Sequence, residues 1–491
     1  MTTAAASGTL YSRLKEAAGH TLVYGLGSVA QALLGVILLP LYGHYFSPAD
    51  FGVLSLITLV GTLAGAVFYL GSSSALARSY FDYHTEVERR RTITTALALT
   101  LVGCALQLGF GLALASELSM RLFGTAQYRV HLLVALAASA VTFVNGLFLV
   151  VLRFERRSTA VVAVNVTTLL ITTGAIVWLL FGLHLGVLAP ILGGLIAQVL
   201  VAASLGWLLR KHLGGGISRH ELAVQARYGM GAVGIGAAYY VLDSVDRLLL
   251  NRLTSLTDVG IYSLGYRLGM LIHVVFIMPF SQIWSPMRLE YRTDEGAPEL
   301  FKMMLTYYWM VGLLATVGVG MFAREMVSIA GSSEYHDAYR VVPIIMLSHL
   351  VYGVVGVIDS GVIFSRKLGY QVAIFTAGMV LNIGLNLLLI PRWGYMAAAW
   401  VTLVSYTAVA VAAFVVSNRL YRLEIETSRL ALVIISAVAV LIAGTIAAGA
   451  APMPALAARL ALFGGLAGFW YVFVLSGRER RRLQQLTERF V

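Results

Sequence analysis

The chain is patterned as long apolar runs separated by short loops. Nothing between Ala17 and Ala49 is Asp, Glu, Lys or Arg, and Ser158 to Leu209 is equally free of them. The second run is long enough for two spans of ~20 residues, with a turn at Phe181-Gly182-Leu183-His184. Followed to its end, the pattern predicts fourteen spans, near 20–43, 51–77, 92–114, 131–152, 160–181, 187–209, 228–250, 260–285, 303–323, 342–364, 370–390, 395–416, 430–450 and 459–475. The fold class is therefore an all-α polytopic membrane protein.

One run breaks the pattern. Tyr239-Tyr240-Val241-Leu242-Asp243-Ser244-Val245-Asp246-Arg247-Leu248 puts three charges into the predicted seventh span. A charge in hydrocarbon costs at least ~2.5–3.5 kcal/mol, so such residues usually face a bundle interior or a water-filled cavity. Asp243, Asp246 and Arg247 share one helix face at i, i+3 and i+4, and Tyr239 lies one turn earlier on it.

Composition agrees with the pattern. Of 491 residues 59% are hydrophobic and 12% charged, against about 25% charged in a soluble domain. The net charge of +12 suggests a nucleic-acid partner until its distribution is read. With the N-terminus inside, most basic residues fall in inner loops, among them Arg89-Arg90-Arg91, Arg153/Arg156/Arg157, Arg366/Lys367 and Arg480-Arg481-Arg482. That asymmetry is the mark of cytoplasmic loops, so both termini are expected in the cytoplasm and no nucleic acid is expected. Cys104 is the single cysteine, which excludes an intrachain disulfide, and no cleavable signal, cofactor motif or metal site is evident.

The chain also repeats itself. Asp50-Phe51-Gly52-Val53-Leu54-Ser55-Leu56 recurs as Asp258-Val259-Gly260-Ile261-Tyr262-Ser263-Leu264, offset by 208. The same offset carries Gly186 onto Gly394 and Ala189 onto Ala397, and Arg156-Arg157 maps near Arg366-Lys367 at an offset of 210. Six spans per copy gives two lobes of like orientation. We expect a first lobe over 1–213, a second over 214–422, and an appendix of two spans with a basic tail over 423–491. The joint is Lys211 to Gln225, a Gly-rich turn leading into an amphipathic piece. At offset 208 Asp246-Arg247 falls on Leu38-Leu39, so the first copy is apolar where the second is charged.

These residues resemble the polysaccharide-transporter family, the O-antigen-type oligosaccharide flippases of the multidrug/oligosaccharidyl-lipid/polysaccharide (MOP) superfamily. The resemblance is carried by Asp246-Arg247-Leu248-Leu249-Leu250 with Val259 to Arg267, by Leu41-Tyr42 to Asp50-Phe51-Gly52-Val53, and by Asn382 to Gly394 with its Ile390-Pro391-Arg392-Trp393-Gly394 exit. It implies a two-lobed, V-shaped bundle whose central cavity opens alternately to either side of the bacterial inner membrane. The implied cargo is a polyprenyl-diphosphate-linked oligosaccharide moved among membrane lipids, coupled to an H+ or Na+ gradient, with a polymerase and glycosyltransferases as pathway partners. A transporter, not an enzyme, is expected.

Such a cargo needs cations in the cavity, and arginine suits a diphosphate because it stays charged and grips phosphate oxygens in a fork. Arg247 and Arg267 are the second-lobe candidates, each ~5–10 Å from the outer surface at ~1.5 Å per residue; an Asp243–Arg247 ion pair with Arg267 snorkelling is the structural alternative. Arg78 and Arg153 are first-lobe candidates, with inner-surface anchoring as their alternative. For ion coupling or gating the candidates are Asp243, Asp246, Asp359 and His273, with His349 the other histidine at membrane depth. Asp359 could instead pair with Arg366 or Lys367. Asn145, Asn165, Asn382, Asn386, Gln31 and Gln198 could bond sugar hydroxyls or join helices.

Three other functions compete. A peptidoglycan-precursor lipid flippase should carry charges in its first span, and Thr21 to Tyr45 has none. A cation-coupled drug antiporter should carry a first-lobe carboxylate. A membrane glycosyltransferase or ligase should carry a large acidic outer loop.

Overall fold

The computed structural model describes residues 37–481 apart from 70, 84, 294, 295, 368, 448–451 and 478. Among the described residues there is no strand, only an isolated bridge between Gly43 and Gly331. The first helices, α1 (Leu39–Tyr45) and α2 (Pro48–Phe68), meet at an extended Ser47. Its hydroxyl caps α2 by accepting from the Asp50 N–H at 3.2 Å, and Pro48 fills the first helical position, where a missing N–H costs nothing. There follow α3 (Ser72–Ser79), α4 (Glu86–Phe123), α5 (Arg129–Phe154), α6 (Ser158–Val177), α7 (Leu188–Leu208), α8 (Arg219–Leu253), α9 (Leu256–Gly269), α10 (Met278–Glu290), α11 (Ala297–Met321), α12 (Ala323–Ala330), α13 (Val341–Ile358), α14 (Ser360–Phe364), α15 (Gly369–Leu420), α16 (Thr427–Ala447) and α17 (Pro452–Phe469).

Eleven helical segments among the described residues are long and apolar enough to cross a membrane. One of them, α15, runs for 52 residues and breaks at Gly394, where φ is 56° and ψ −142°, so it supplies the expected eleventh and twelfth spans. The expected seventh span lies in α8. The first, near 20–43, lies mostly outside the described residues. The protein is an all-α, multi-pass membrane protein.

The repeat reaches the backbone. Arg156 and Arg366, 210 apart, both adopt left-handed φ, 57° and 55°. Each closes its preceding helix with the same two bonds: Arg156 N–H to Arg153 O (3.0 Å) and Arg157 N–H to Leu152 O (3.0 Å), then Arg366 N–H to Ile363 O (3.1 Å) and Lys367 N–H to Val362 O (3.1 Å). This is a Schellman closure with arginine where glycine usually sits. Gly186 and Gly394 share left-handed φ as well, 52° and 56°.

The contacts divide the chain into two compact units. The first comprises the described part of Met1–Leu264 with Ala330–Tyr335 and Gln371–Ala398. Here the Gly-rich joint is tied to the start of α4: Arg91 Nε donates to Gly215 O at 2.9 Å, the Gly214 N–H to Thr94 Oγ1 at 2.8 Å, and the Ser218 N–H to Thr95 Oγ1 at 3.2 Å. The amphipathic piece is the first turn of α8 itself, capped by Ser218. The Tyr83 hydroxyl donates to the Glu221 carboxylate on that turn, and this bond pushes the phenol up to about 12.

The second unit comprises Gly265–Ile329, His336–Tyr370 and the described part of Ala399–Val491. Buried Arg459 joins α17 to α11 and α12, donating to Met321 O at 3.1 Å and Glu325 Oε1 at 2.6 Å. The tail is fastened by Glu479, which accepts from the Tyr307 hydroxyl at 2.6 Å and pairs with Arg429 at 2.6 Å. Burial pushes the Glu479 carboxyl up, but the hydrogen bonds from Tyr307 and Ser476 and the Arg429 guanidinium outweigh it and hold it at about 2. Its folded value lies below the ordinary 4.5, so the tail's contribution is present at neutral pH and is lost as pH falls from about 4.5 towards about 2. Proteolytic release of the tail should therefore accelerate over that interval in the wild type and not in Glu479→Gln, whose tail is already loosened at pH 7. Identical pH profiles would show that Glu479 does not hold the tail.

Candidate functional site

In the first unit, α8 carries the charged stretch and α9 packs beside it. Asp246 is 1% exposed. Both its oxygens are engaged: Oδ1 accepts from the Arg247 N–H at 2.7 Å, and Oδ2 accepts from the hydroxyl of Tyr262 on α9. Tyr262 is fully buried, and its counterpart 208 residues earlier is Leu54, so the α8–α9 joint is polar only in the second copy. The sequence quotes Tyr262 in the repeated motif without suggesting its bond to Asp246. Arg247 is half-buried and Asp243 half-buried, with the Ser244 hydroxyl donating to Asp243 Oδ2 at 3.4 Å. Tyr239, also half-buried, lies against Tyr240 with ring centroids 5.7 Å apart. The structure thus brings Tyr239, Asp243, Asp246 and Arg247 together on α8. Arg267, half-buried on α9, belongs to the second unit.

The other candidates are placed as follows. Arg153 is exposed in the last turn of α5. Arg78 lies on α3, and its side chain is outside the described part, as is Gln31 entirely. Asn145 is buried and donates to the Gln198 carbonyl at 2.9 Å and to Gln198 Oε1 at 2.7 Å, joining α5 to α7. Asn165 is buried, and buried Asn386 donates to Asn382 Oδ1 at 2.9 Å. In the second unit Asp359 is buried, and its salt-bridge partner is Arg288 at 2.7 Å rather than Arg366 or Lys367, both of which are exposed. Arg288 also donates to Gly356 O at 2.7 Å. His273 opens a π-helical turn, His273–Ile277, and His349 on α13 is fully buried beside it.

The repeated motif makes a second kind of site. Gly52 and Gly260, one from each copy, stand where two backbones touch. A Cβ on Gly52 would lie 2.2 Å from Leu256 O, and one on Gly260 would lie 1.8 Å from Pro48 O. Leu256 is Pro48 advanced by 208, so the contact is reciprocal: each copy's glycine receives the other copy's helix start. Next to it the Ser332 N–H donates to Gly43 O at 2.9 Å and the Tyr335 hydroxyl to Phe46 O at 3.0 Å. At this end of the first unit the two copies are closed backbone to backbone.

The sequence matches the family described as polysaccharide biosynthesis protein over residues 18–291, more than half of the chain. The chain belongs to that family. Among solved structures, this polysaccharide biosynthesis family member is similar to the lipid II flippase MurJ in its inward closed conformation, with TM-score 0.74, 13% identity, and coverage of 92% of this chain and 99% of that one. An inward-facing multidrug resistance MATE family transporter of the MOP superfamily gives TM-score 0.62 at 14% identity, covering 84% and 95%. A mutant of the Vibrio cholerae MATE transporter VcmN gives 0.56 at 14%, covering 84% and 97%. No curated protein matches. At these identities the structures establish that this family member has a MOP transporter fold.

Proposed function

We propose that the protein is a flippase that carries a polyprenyl-diphosphate-linked oligosaccharide, a polysaccharide repeat unit, across the bacterial inner membrane by alternating access, driven by an ion gradient. The proposed lobes are 1–213 and 214–422, with 423–491 as the appendix and both termini in the cytoplasm. The observation that carries the reading is the state of the α8 charges in a member of the polysaccharide biosynthesis family. Asp246 is turned into the α8–α9 joint by Tyr262, while Arg247, one residue on and so ~100° round the helix, is half-buried at membrane depth. A planar cation there suits a diphosphate crossing hydrocarbon. An apolar groove of about 450 Å³ between α16 and α17, lined by Val440, Leu462, Gly465 and Phe469, offers the polyprenyl chain a path along the second unit.

The test uses proteoliposomes holding a fluorescent polyprenyl-diphosphate disaccharide. Arg247→Ala should slow its translocation about 10- to 150-fold, the loss of one charge-assisted bond at ~1.5–3 kcal/mol, with insertion unchanged. Full-rate flipping by the Arg247→Ala protein would remove this arginine from the cargo site. A second reading, a peptidoglycan-precursor lipid, is favoured by the likeness to the lipid II flippase; the same vesicles loaded with that lipid decide between them. A drug antiporter would move neither.

A further inference from the structure

The second unit holds two histidines in contact at membrane depth. The rings of His273 and His349 lie 5.7 Å apart between centroids, and His349 is fully buried. Two tyrosines flank His349, Tyr266 on α9 at 5.4 Å and Tyr406 on α15 at 5.9 Å, and Tyr352, one turn along α13, lies tilted against Tyr406 at 5.0 Å. The π-helical turn that begins at His273 shifts the helix register there; such turns gather at functional sites because they re-aim one side chain without ending the helix.

The repeat argues that this is not packing shared by both copies. At the offsets 208 and 210, His273 falls on Gly65, Tyr266 on Thr58, His349 on Ser139, Tyr352 on Thr142 and Tyr406 on Gln198. The first copy joins the equivalent helices, α5 and α7, with the Asn145–Gln198 amide pair, which cannot titrate. The second copy makes the same junction, α13 to the later part of α15, with an imidazole and phenols. The fold needs a polar contact there. It does not need one that binds a proton.

Of the three candidate carboxylates, Asp246 holds Tyr262, Asp359 holds Arg288, and Asp243 accepts from the Ser244 hydroxyl. We infer that His273 and His349 together form a proton-binding site, holding one proton between them, whose loading and release is the ion step of the transport cycle. Histidine is the side chain whose ordinary charge change falls between about pH 5 and 8. Two imidazoliums this close in a low-dielectric bundle repel, so the site takes a single proton and titrates as a pair. The groups facing it are Tyr266 from its own α9–α10 segment and Tyr406 from α15, the latter with Tyr352 of α13 against it. On α11, Tyr308 donates to the Leu350 carbonyl at 2.8 Å. Among charged residues of the same helices, Arg267 follows Tyr266 in the chain, and Asp359 at the far end of α13 is paired with Arg288. The step balances as an acid–base exchange: an imidazole nitrogen forms one N–H bond to a proton from one side of the membrane, and that bond breaks to release the proton to the other, with the electron pair staying on nitrogen.

The use of the site rests on the transport reading, but its existence can be tested alone. In lipid nanodiscs, the full chain carrying 15N-histidine should show the two imidazoles taking up one shared proton as pH falls, assigned by the single variants His273→Gln and His349→Gln. Two rings that stay neutral throughout, or that both become charged, would overturn the site. In proteoliposomes with the fluorescent polyprenyl-diphosphate disaccharide, wild type should accumulate the lipid under an imposed pH gradient. His273→Gln/His349→Gln should reach the same lipid distribution with and without the gradient, and accumulate none. A double variant that still accumulates would overturn the coupling role. A wild type that moves no lipid would overturn the transport reading instead, with the nanodisc titration still deciding the site. Should His349→Gln fail to reach the membrane, His273→Gln alone, at a half-buried position, carries both measurements.

Discussion

A Gly260→Ala protein is expected to insert normally and to lose most of its ability to replace the wild type in cells lacking it. The added methyl would stand 1.8 Å from Pro48 O, a backbone atom that cannot swing aside. Overpacking of this kind costs about 1–3 kcal/mol, and the cost falls only on the conformation in which the two copies touch. The closed form would therefore be depleted about 5- to 150-fold relative to any form in which that end is open. Gly52→Ala should behave alike, because Leu256 O lies 2.2 Å from its new methyl. Gly146→Ala, with nothing within 4 Å, is the silent control. Full complementation by Gly260→Ala would mean that closure at this end is not part of the working cycle.

The second large effect is expected at Arg288. Its guanidinium and the Asp359 carboxylate are 12% and 8% exposed and 2.7 Å apart. Arg288→Ala strands a buried carboxylate, a loss of about 3–5 kcal/mol, and should lower the thermal midpoint of the purified protein sharply. Replacing both partners by apolar residues, as in Arg288→Met/Asp359→Leu, should restore most of it, since a buried pair is often no better than well-packed hydrocarbon. If the double variant were as unstable as Arg288→Ala, Asp359 would have a role beyond the pair. A transport defect in a stable double variant would identify that role as functional.

Much of the fold is legible because hydrocarbon imposes it: long charge-free runs have few structures open to them. The repeat is legible for a related reason. Gly186 and Gly394 mark left-handed turns, and Gly52 and Gly260 mark a backbone contact, so these positions tolerate few replacements and keep their spacing. The seventh span is legible only as a conflict, three charges in an apolar run, and the conflict marks a candidate site without resolving it. Its resolution depends on Tyr262, whose counterpart Leu54 gives no hint of a hydroxyl's purpose. The partner of Asp359 is hidden for another reason. Arg366 and Lys367 are near in sequence, but a left-handed turn carries them outward, whereas Arg288 arrives from a helix end 71 residues away. The amides are ambiguous in principle, since Asn145 has the same chemistry for a sugar hydroxyl as for Gln198.

The interleaving of the two units has a consequence for how the protein is made. The first unit draws in residues 371–398, which follow most of the second unit's early segments in the chain. A ribosome delivering the polypeptide from its N-terminus therefore releases 265–329 and 336–370 while the first unit still lacks a helix. Those segments can pack on one another at once, as Ala297–Met321 does on Val341–Ile358, but lack 399–491, the remainder of their unit. The segment that completes the first unit ends just past the break at Gly394, whereas the second unit is complete only once 399–491 has followed, so the first unit can finish assembling while the second is still being made.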